Sequence, residues 1–362
     1  MRHQIQRALA PVLAGYAFQQ TALIGMLPVL ALRLDLPPGQ VGLAIGAGLL
    51  VSAVMGPLLA GGMTAQRLRA ALLVQMLASL GLIALLLALG PVGATFAILL
   101  AIRVLQGTAA AITLAVAQAA SAGMGRPVAA LARLQVGPGL GRALGAALIG
   151  PLIRLSIVLP ILPALIGAAL SLYRLGAAAK RMPLPEERGL RAPWLLALAV
   201  PFLVQCAIGA GQLGLGPLLA QSYPAAQAAA ITGICLGAGY LVLMLVHLFV
   251  TPAATAIGPA LALLAVALLL PVISPQPSVL IAATSLATGA AGLTIARHLA
   301  RVIALRPEAA RRNAAWQGSS LLAGLGVGAS LAALVLPLHP VAPFLLAAGF
   351  ALTTLLICRR PL

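Results

Sequence analysis

The chain has 362 residues, 62% of them hydrophobic, with a mean hydropathy of +1.12 and a formal charge of +18 from 22 Lys and Arg against 4 Asp and Glu. A soluble domain cannot hide that much apolar surface, so the bilayer is its solvent. The basic residues flank apolar runs, which makes them topology signals rather than a nucleic-acid surface. The cysteines, Cys206, Cys235 and Cys358, are odd in number and lie inside apolar runs, which speaks against a disulfide framework or a thiolate metal site.

A spanning helix needs about 20 apolar residues, and twelve segments are predicted. In the first half of the chain they are Leu9–Leu32, Val41–Ala60, Ala70–Leu89, Gly93–Gln118, Val128–Gly150 and Leu155–Leu172. In the second half they are Trp194–Ala220, Gln227–Val250, Ile257–Ile273, Val279–Ala296, Ala314–Leu336 and Val341–Cys358. The ninth and twelfth are short. The first is long enough to span, so it reads as a membrane helix and not as a cleavable signal. Gly90-Pro91 and Ser274-Pro275-Gln276-Pro277 mark tight joints.

The charges orient these segments. Arg2 and Arg7, Arg67 and Arg69, Arg126 and Arg133, the basic residues of 174–191, those of 297–312, and Arg359 and Arg360 all fall on one side. The opposite side carries Arg33 and Arg154. The positive-inside rule then places both termini in the cytoplasm. The longest polar interval falls at mid-chain, giving an all-α membrane protein of two six-helix bundles, 1–175 and 194–362, joined by a cytoplasmic linker, 176–193. Asp35, next to Arg33 and before Pro37-Pro38, reads as a surface ion pair or as the start signal of the second segment.

Two arginines, Arg103 and Arg142, break the charge pattern by lying inside apolar segments, where a charge is costly and usually functional. Each lies about 10 residues from the outer end of its segment, so both sit about 15 Å deep, near the midplane. The four acids, Asp35, Glu186, Glu187 and Glu308, all fall outside the segments, so neither arginine has a protein counter-ion there. One arrangement open to them is a wet cavity, where an anion on the substrate completes the electrostatics. The other is hydrogen bonding to helix-end carbonyls or neighbouring glutamines.

Neutral hydrogen-bonding groups lie at the same level. Gln106 follows Arg103 by three residues on one helix face. Gln19 and Gln20 lie in the first segment with Tyr16 one turn away, Gln205 and Gln212 share a face of the seventh, and Thr284, Ser285 and Thr288 lie in the tenth. His247 and His298 fall near inner helix ends as lone histidines. No His/Asp/Glu cluster suits a metal or an active site, so no enzyme, cofactor or metal is expected.

The run Leu100-Ala101-Ile102-Arg103-Val104-Leu105-Gln106-Gly107-Thr108-Ala109-Ala110 resembles motif B of the major facilitator superfamily. Gly137-Pro138-Gly139-Leu140-Gly141-Arg142-Ala143-Leu144-Gly145-Ala146 is similar to motif C of its exporters, with Arg142 in place of proline and Ala146 in place of glycine. Gly61-Gly62-Met63-Thr64-Ala65-Gln66-Arg67-Leu68-Arg69 resembles motif A, keeping Gly61 and Arg69 but with Ala65 where the acid belongs. The resemblance implies a secondary transporter working by alternating access, with a cavity lined by the first, fourth, seventh and tenth helices. Motif C implies export.

The expectation is a monomeric, multi-pass protein of the bacterial inner membrane that exports a small polar or anionic metabolite, such as an organic acid or a carboxylate siderophore. It is coupled to protons, coupled to a counter-anion, or uncoupled. A multidrug efflux pump is the alternative; hydrophobic cations would want an acid in the cavity. A non-transporting membrane sensor is a third reading, and a polytopic membrane enzyme a fourth. Gly137, Gly141 and Gly145 recur on one face, and with Gly107 they are expected to admit close helix contact, either as static packing or as a sliding surface. Gly324, Gly326 and Gly328 are expected to act likewise in the eleventh segment.

Overall fold

The computed structural model describes residues 2–59, 64–88, 94–122, 127–178, 195–249, 257–305 and 310–358, and these are almost wholly helical. In chain order the helices are α1 (Arg2–Gly25), α2 (Leu27–Leu34), α3 (Pro38–Leu59), α4 (Ala65–Leu87), α5 (Thr95–Ala122), α6 (Pro127–Ala147), α7 (Ile149–Leu155) and α8 (Leu162–Ala178). They continue with α9 (Leu195–Leu219), α10 (Ala225–Phe249), α11 (Gly258–Ile273), α12 (Pro277–Leu305), α13 (Ala310–Val335) and α14 (Ala342–Cys358). A single 3-10 turn, Leu159–Ile161, leads into α8.

Among the described residues, eight helices are long and apolar enough to cross a bilayer, or up to ten when each bent pair is one span. The bent pairs are α1 with α2, at 74°, and α6 with α7, at 59°. The apolar helices α11 and α14 are shorter, with 16 and 17 residues. The twelve expected segments fall on these helices and bent pairs.

The two breaks differ from the sequence expectation, which drew segments one and five as continuous. Proline explains both. Pro28 has no N–H to donate to Ile24, and its ring clashes with that carbonyl; α1 ends one residue later, at Gly25. Pro151 stands in the same relation to Ala147, where α6 ends. Met26 and Leu148 carry the chain across, each still bonded back by four residues, at 2.8 and 3.0 Å.

α1 packs on α6 and α8, α3 on α5, and α4 on α5 and α8. After the central interval, α9 packs on α13 and α14, α10 on α12, and α11 on α12 and α14. Contact between these two sets runs through α3 with α13, and through α10 with α6, α7 and α2.

These crossing contacts lie toward one end of the bundle. Gly39 and Gly42 of α3 meet Ala333, and Gly46 meets Gly326 and Ser330 of α13. Gly150 meets Ala230, and Gly233 of α10 meets Ala146 and Ile149. At the opposite end, a separate apolar cluster that includes Ile5, Leu9, Leu68, Leu72, Val116, Ala168 and Leu175 belongs, among the described residues, to α1, α4, α5, α6 and α8. There Gly318 of α13 comes up against Gln118 of α5.

Arg33 lies on α2 and donates from Nε to the Leu86 carbonyl at 2.8 Å and from Nη2 to the Ala88 carbonyl at 3.3 Å. It therefore caps the C-terminus of α4, where carbonyls lack helical partners. This replaces the expected ion pair: Asp35 makes none among the described residues, and it terminates α2 in the left-handed region, at φ 51°.

Candidate functional site

Arg103 is fully buried on α5, on the face away from the exposed residues Ala101 and Leu105. Its Nη1 donates to Gln106 Oε1 one turn along the same helix, and its Nη2 donates to Gln20 Oε1 on α1. The Gln106 amide nitrogen then donates to Gln19 Oε1 and to Ser79 Oγ on α4, both at 3.4 Å. Tyr16 adjoins the guanidinium without reaching hydrogen-bond geometry with it. Of the two arrangements open from the sequence, Arg103 has the second: neutral glutamines hold it and no wet cavity exposes it. Among the described residues the only acid is Asp35, and it plays no part here.

The close packing of α3 on α5 builds this nest. A Cβ added to Gly107 would run into the Gly48 carbonyl oxygen, and one added to Gly48 would lie 2.9 Å from the Arg103 carbonyl oxygen and 3.2 Å from its Nη2. Ser52 Oγ ties the two helices by donating to the Gly107 carbonyl at 2.9 Å or to Gly48 on its own helix at 2.8 Å. Gly107 thus lets a backbone lie flat against the arginine's turn.

Arg142 takes no part in this network. It is half-buried on α6, and among the described residues it makes no hydrogen bond or ion pair. Gly141 and Gly145 seat α6 on α1, where an added Cβ would strike the Ala14 and Phe18 carbonyls. Leu140 and Leu144 are exposed on the far side, as lipid-facing leucines are. At 100° per residue, Arg142 falls opposite those leucines and so points into the bundle. Gly137 belongs less to the seam than the sequence stripe suggests, since its nearest atoms are an ordinary 3.9 Å away.

A second polar group forms in the other set of helices. Gln212 on α9 and Tyr240 on α10 pair at 3.3 and 3.4 Å. Gln212, Thr284 and Thr288 line a cavity of about 20 Å³, room for one water, together with Leu268, Phe344 and other apolar residues. Gly239 brings α10 close to both threonines, 2.8 Å from its notional Cβ to Thr288 Oγ1. Thr108, Thr113, Thr232 and Thr294 turn their hydroxyls onto carbonyls of their own helices. Thr284 and Thr288 have no such bond among the described residues.

The remaining expected residues fall elsewhere. Gln205 is half-buried on α9 near Gly324. Arg69 is exposed in the first turns of α4, whose N-terminus is capped by Thr64 accepting from the Arg67 N–H at 3.2 Å. Gly61 lies outside the described residues. Sequence reasoning missed Ser79, Gln75 and Tyr240. The first two are polar residues four apart in an otherwise apolar third segment, and that spacing was the signal.

An all-helical membrane protein with polar side chains turned inward at mid-helix is the class these features define. No family model matches the sequence, and no curated protein matches it. Solved structures do match its fold. A bacterial homolog of the human lysosomal transporter Spinster, inward-facing and unoccupied, superposes with a TM-score of 0.69 at 14% identity, over 99% of this chain and 97% of that one. Its inward-facing, occupied form gives 0.67 at 14% identity, over 98% and 94%. A variant of the nucleoside transporter NupG gives 0.65 at 14% identity, over 99% and 98%. At this identity the likeness is one of fold: the chain has the fold of these transporters, which the motifs implied.

Proposed function

We propose that the protein is a secondary transporter that moves a small polar or anionic metabolite by alternating access. In this reading all twelve apolar segments cross the bacterial inner membrane. The six-helix bundles 1–175 and 194–362 move against each other, and both termini are cytoplasmic. The observation that carries it is the uneven seam. Among the described residues the two helix sets meet through small residues toward one end, whereas at the other an apolar core is built from one set, with Gly318 against Gln118 the contact between them. Bundles joined in this way can rock about an interior site.

Arg142, turned inward without a protein counter-ion, is the group that meets the substrate's negative charge. Gln212, Tyr240, Thr284 and Thr288 supply neutral hydrogen bonds from the other set. A carboxylate accepts a bidentate bond from a guanidinium, so organic acids and carboxylate siderophores lead the candidates. The direction is export, which rests on the motif-C likeness of α6.

The test is thermal unfolding of the purified protein against carboxylates, neutral drugs and cationic drugs, because binding to the folded state raises apparent stability by mass action. Carboxylates are expected to stabilise the protein, and Arg142→Ala is expected to remove the effect. Vesicles reconstituted with the protein should then exchange the stabilising compound. Stabilisation by cationic drugs that survives Arg142→Ala would overturn the reading in favour of multidrug efflux. Binding without flux would favour a sensor.

A further inference from the structure

The hydrogen bonds around Arg103 have a direction. Guanidinium nitrogens only donate, so the amides of Gln20 and Gln106 must turn their oxygens toward it and their nitrogens away. Gln106 passes the polarity on, since its nitrogen takes up the Gln19 oxygen and leaves the Gln19 nitrogen facing outward. The Gln106 donors are thereby taken up by Gln19 and Ser79, and it is Gln19 and Gln20 that present donors at their far ends.

Those donors have no partner among the described residues. Gln19 Nε2, Gln20 Nε2 and Arg103 Nε are buried and unsatisfied, as is the Tyr16 hydroxyl. A tyrosine hydroxyl beside a guanidinium still has its own proton to donate. Gln75, one turn along α4 from Ser79, is buried with both its amide oxygen and its amide nitrogen unpartnered, so it adds no surplus of donors. The glutamines are 0–5% exposed and Arg103 is 0% exposed. A buried positive charge ringed by surplus donors is an electrostatic arrangement that lacks its acceptor. An orphaned buried donor is costly, and an uncompensated buried charge costs more.

We propose that this nest binds a compact inorganic anion, of the size and charge of chloride, held by Arg103, Gln19 and Gln20 with Tyr16 at its edge. Size favours a resident ion over a metabolite's carboxylate. Gly48 and Gly107 close α3 onto α5 at this level and Arg103 is fully buried, so any occupant is admitted by side-chain adjustment, which is smaller for a monatomic ion than for a metabolite. Among the described residues Arg142 shares no hydrogen bond with the nest, so the Arg103→Gln and Arg142→Ala variants test the two sites separately.

The experiment is thermal unfolding of the full-length protein in detergent at constant ionic strength, titrating chloride or bromide against gluconate, with acetate as a third arm. Wild type is expected to show a saturable rise of about 2 °C or more with either halide. Arg103→Gln should abolish it. Because that variant risks misfolding, Gln20→Glu provides a check in the opposite direction. A carboxylate at position 20 supplies the missing negative charge from within, so Gln20→Glu should be as stable in gluconate as wild type is in chloride, and insensitive to halide. Halide-independent unfolding of wild type overturns the proposal, as does a Gln20→Glu protein that still responds to chloride. Stabilisation by acetate alone also overturns it, and assigns the nest to a substrate carboxylate.

Discussion

Replacing Gly107 with alanine puts the packing argument at risk. The new methyl would lie 3.0 Å from the Gly48 carbonyl carbon and 3.2 Å from its Cα, and nearer still to the oxygen. Carbon atoms in contact prefer about 3.5–4.0 Å, so α3 and α5 must part by about 0.5–1 Å. Overpacking of this kind costs about 1–3 kcal/mol. The parting also stretches the bond from Ser52 to the Gly107 carbonyl, worth about 0.6 kcal/mol within a membrane. The sum is about 2–4 kcal/mol, or a fall in Tm of about 2–5 °C in the purified protein. Gly349→Ala is the control. It sits in mid-α14 with nothing within 4 Å of the notional Cβ, so it should leave Tm unchanged or raise it, alanine being the better helix former by about 1 kcal/mol. Equal shifts in the two variants, or none at Gly107→Ala, would refute the claim that backbone contact between α3 and α5 sets the geometry around Arg103.

Tyr240→Phe removes the pair with Gln212 and should cost about 1 kcal/mol in unfolding while weakening substrate binding more than Tyr16→Phe does; equal binding in both would remove Tyr240 from the site. Arg33→Met frees the Leu86 and Ala88 carbonyls, and amide exchange should quicken over the last turn of α4, with little change in α9. Cys206 and Cys235 are fully buried, so a maleimide should modify them only after denaturation, with half-buried Cys358 reacting first; rapid native labelling of Cys206 would contradict its place between α9 and α13.

Much of this fold was legible because a bilayer imposes a simple code of long apolar runs, charges at their ends and small residues where helices touch. Gly141, Gly145, Gly324 and Gly328 were readable as contact points, and each meets a carbonyl of a neighbouring helix. The breaks at Met26 and Leu148 were not read, although Pro28 and Pro151 announce them. Five other prolines, Pro11, Pro138, Pro201, Pro217 and Pro271, sit inside helices that continue through them, so a proline alone does not say which helix ends. At the site, composition singled out Arg103 and its glutamines. It could not say that glutamines would enclose the arginine, because that depends on how closely α3 approaches α5. Tyr240 was invisible for a related reason: one tyrosine in an apolar helix carries no sign of facing Gln212.

The glycine seam between α3 and α13 has a thermodynamic consequence of its own. Residues without side chains let backbones come into van der Waals contact, and that contact draws helices together in a bilayer, where lipid tails are as apolar a partner as leucine. Gly39, Gly42, Gly46, Gly326 and Ala333 fit in this way, with Gly42 also against Leu213 and Gly326 against Leu50. In the proposed transport cycle such a seal would have little side-chain interlock to undo. It would part by rigid movement of α3 from α13, with few rotamers to change.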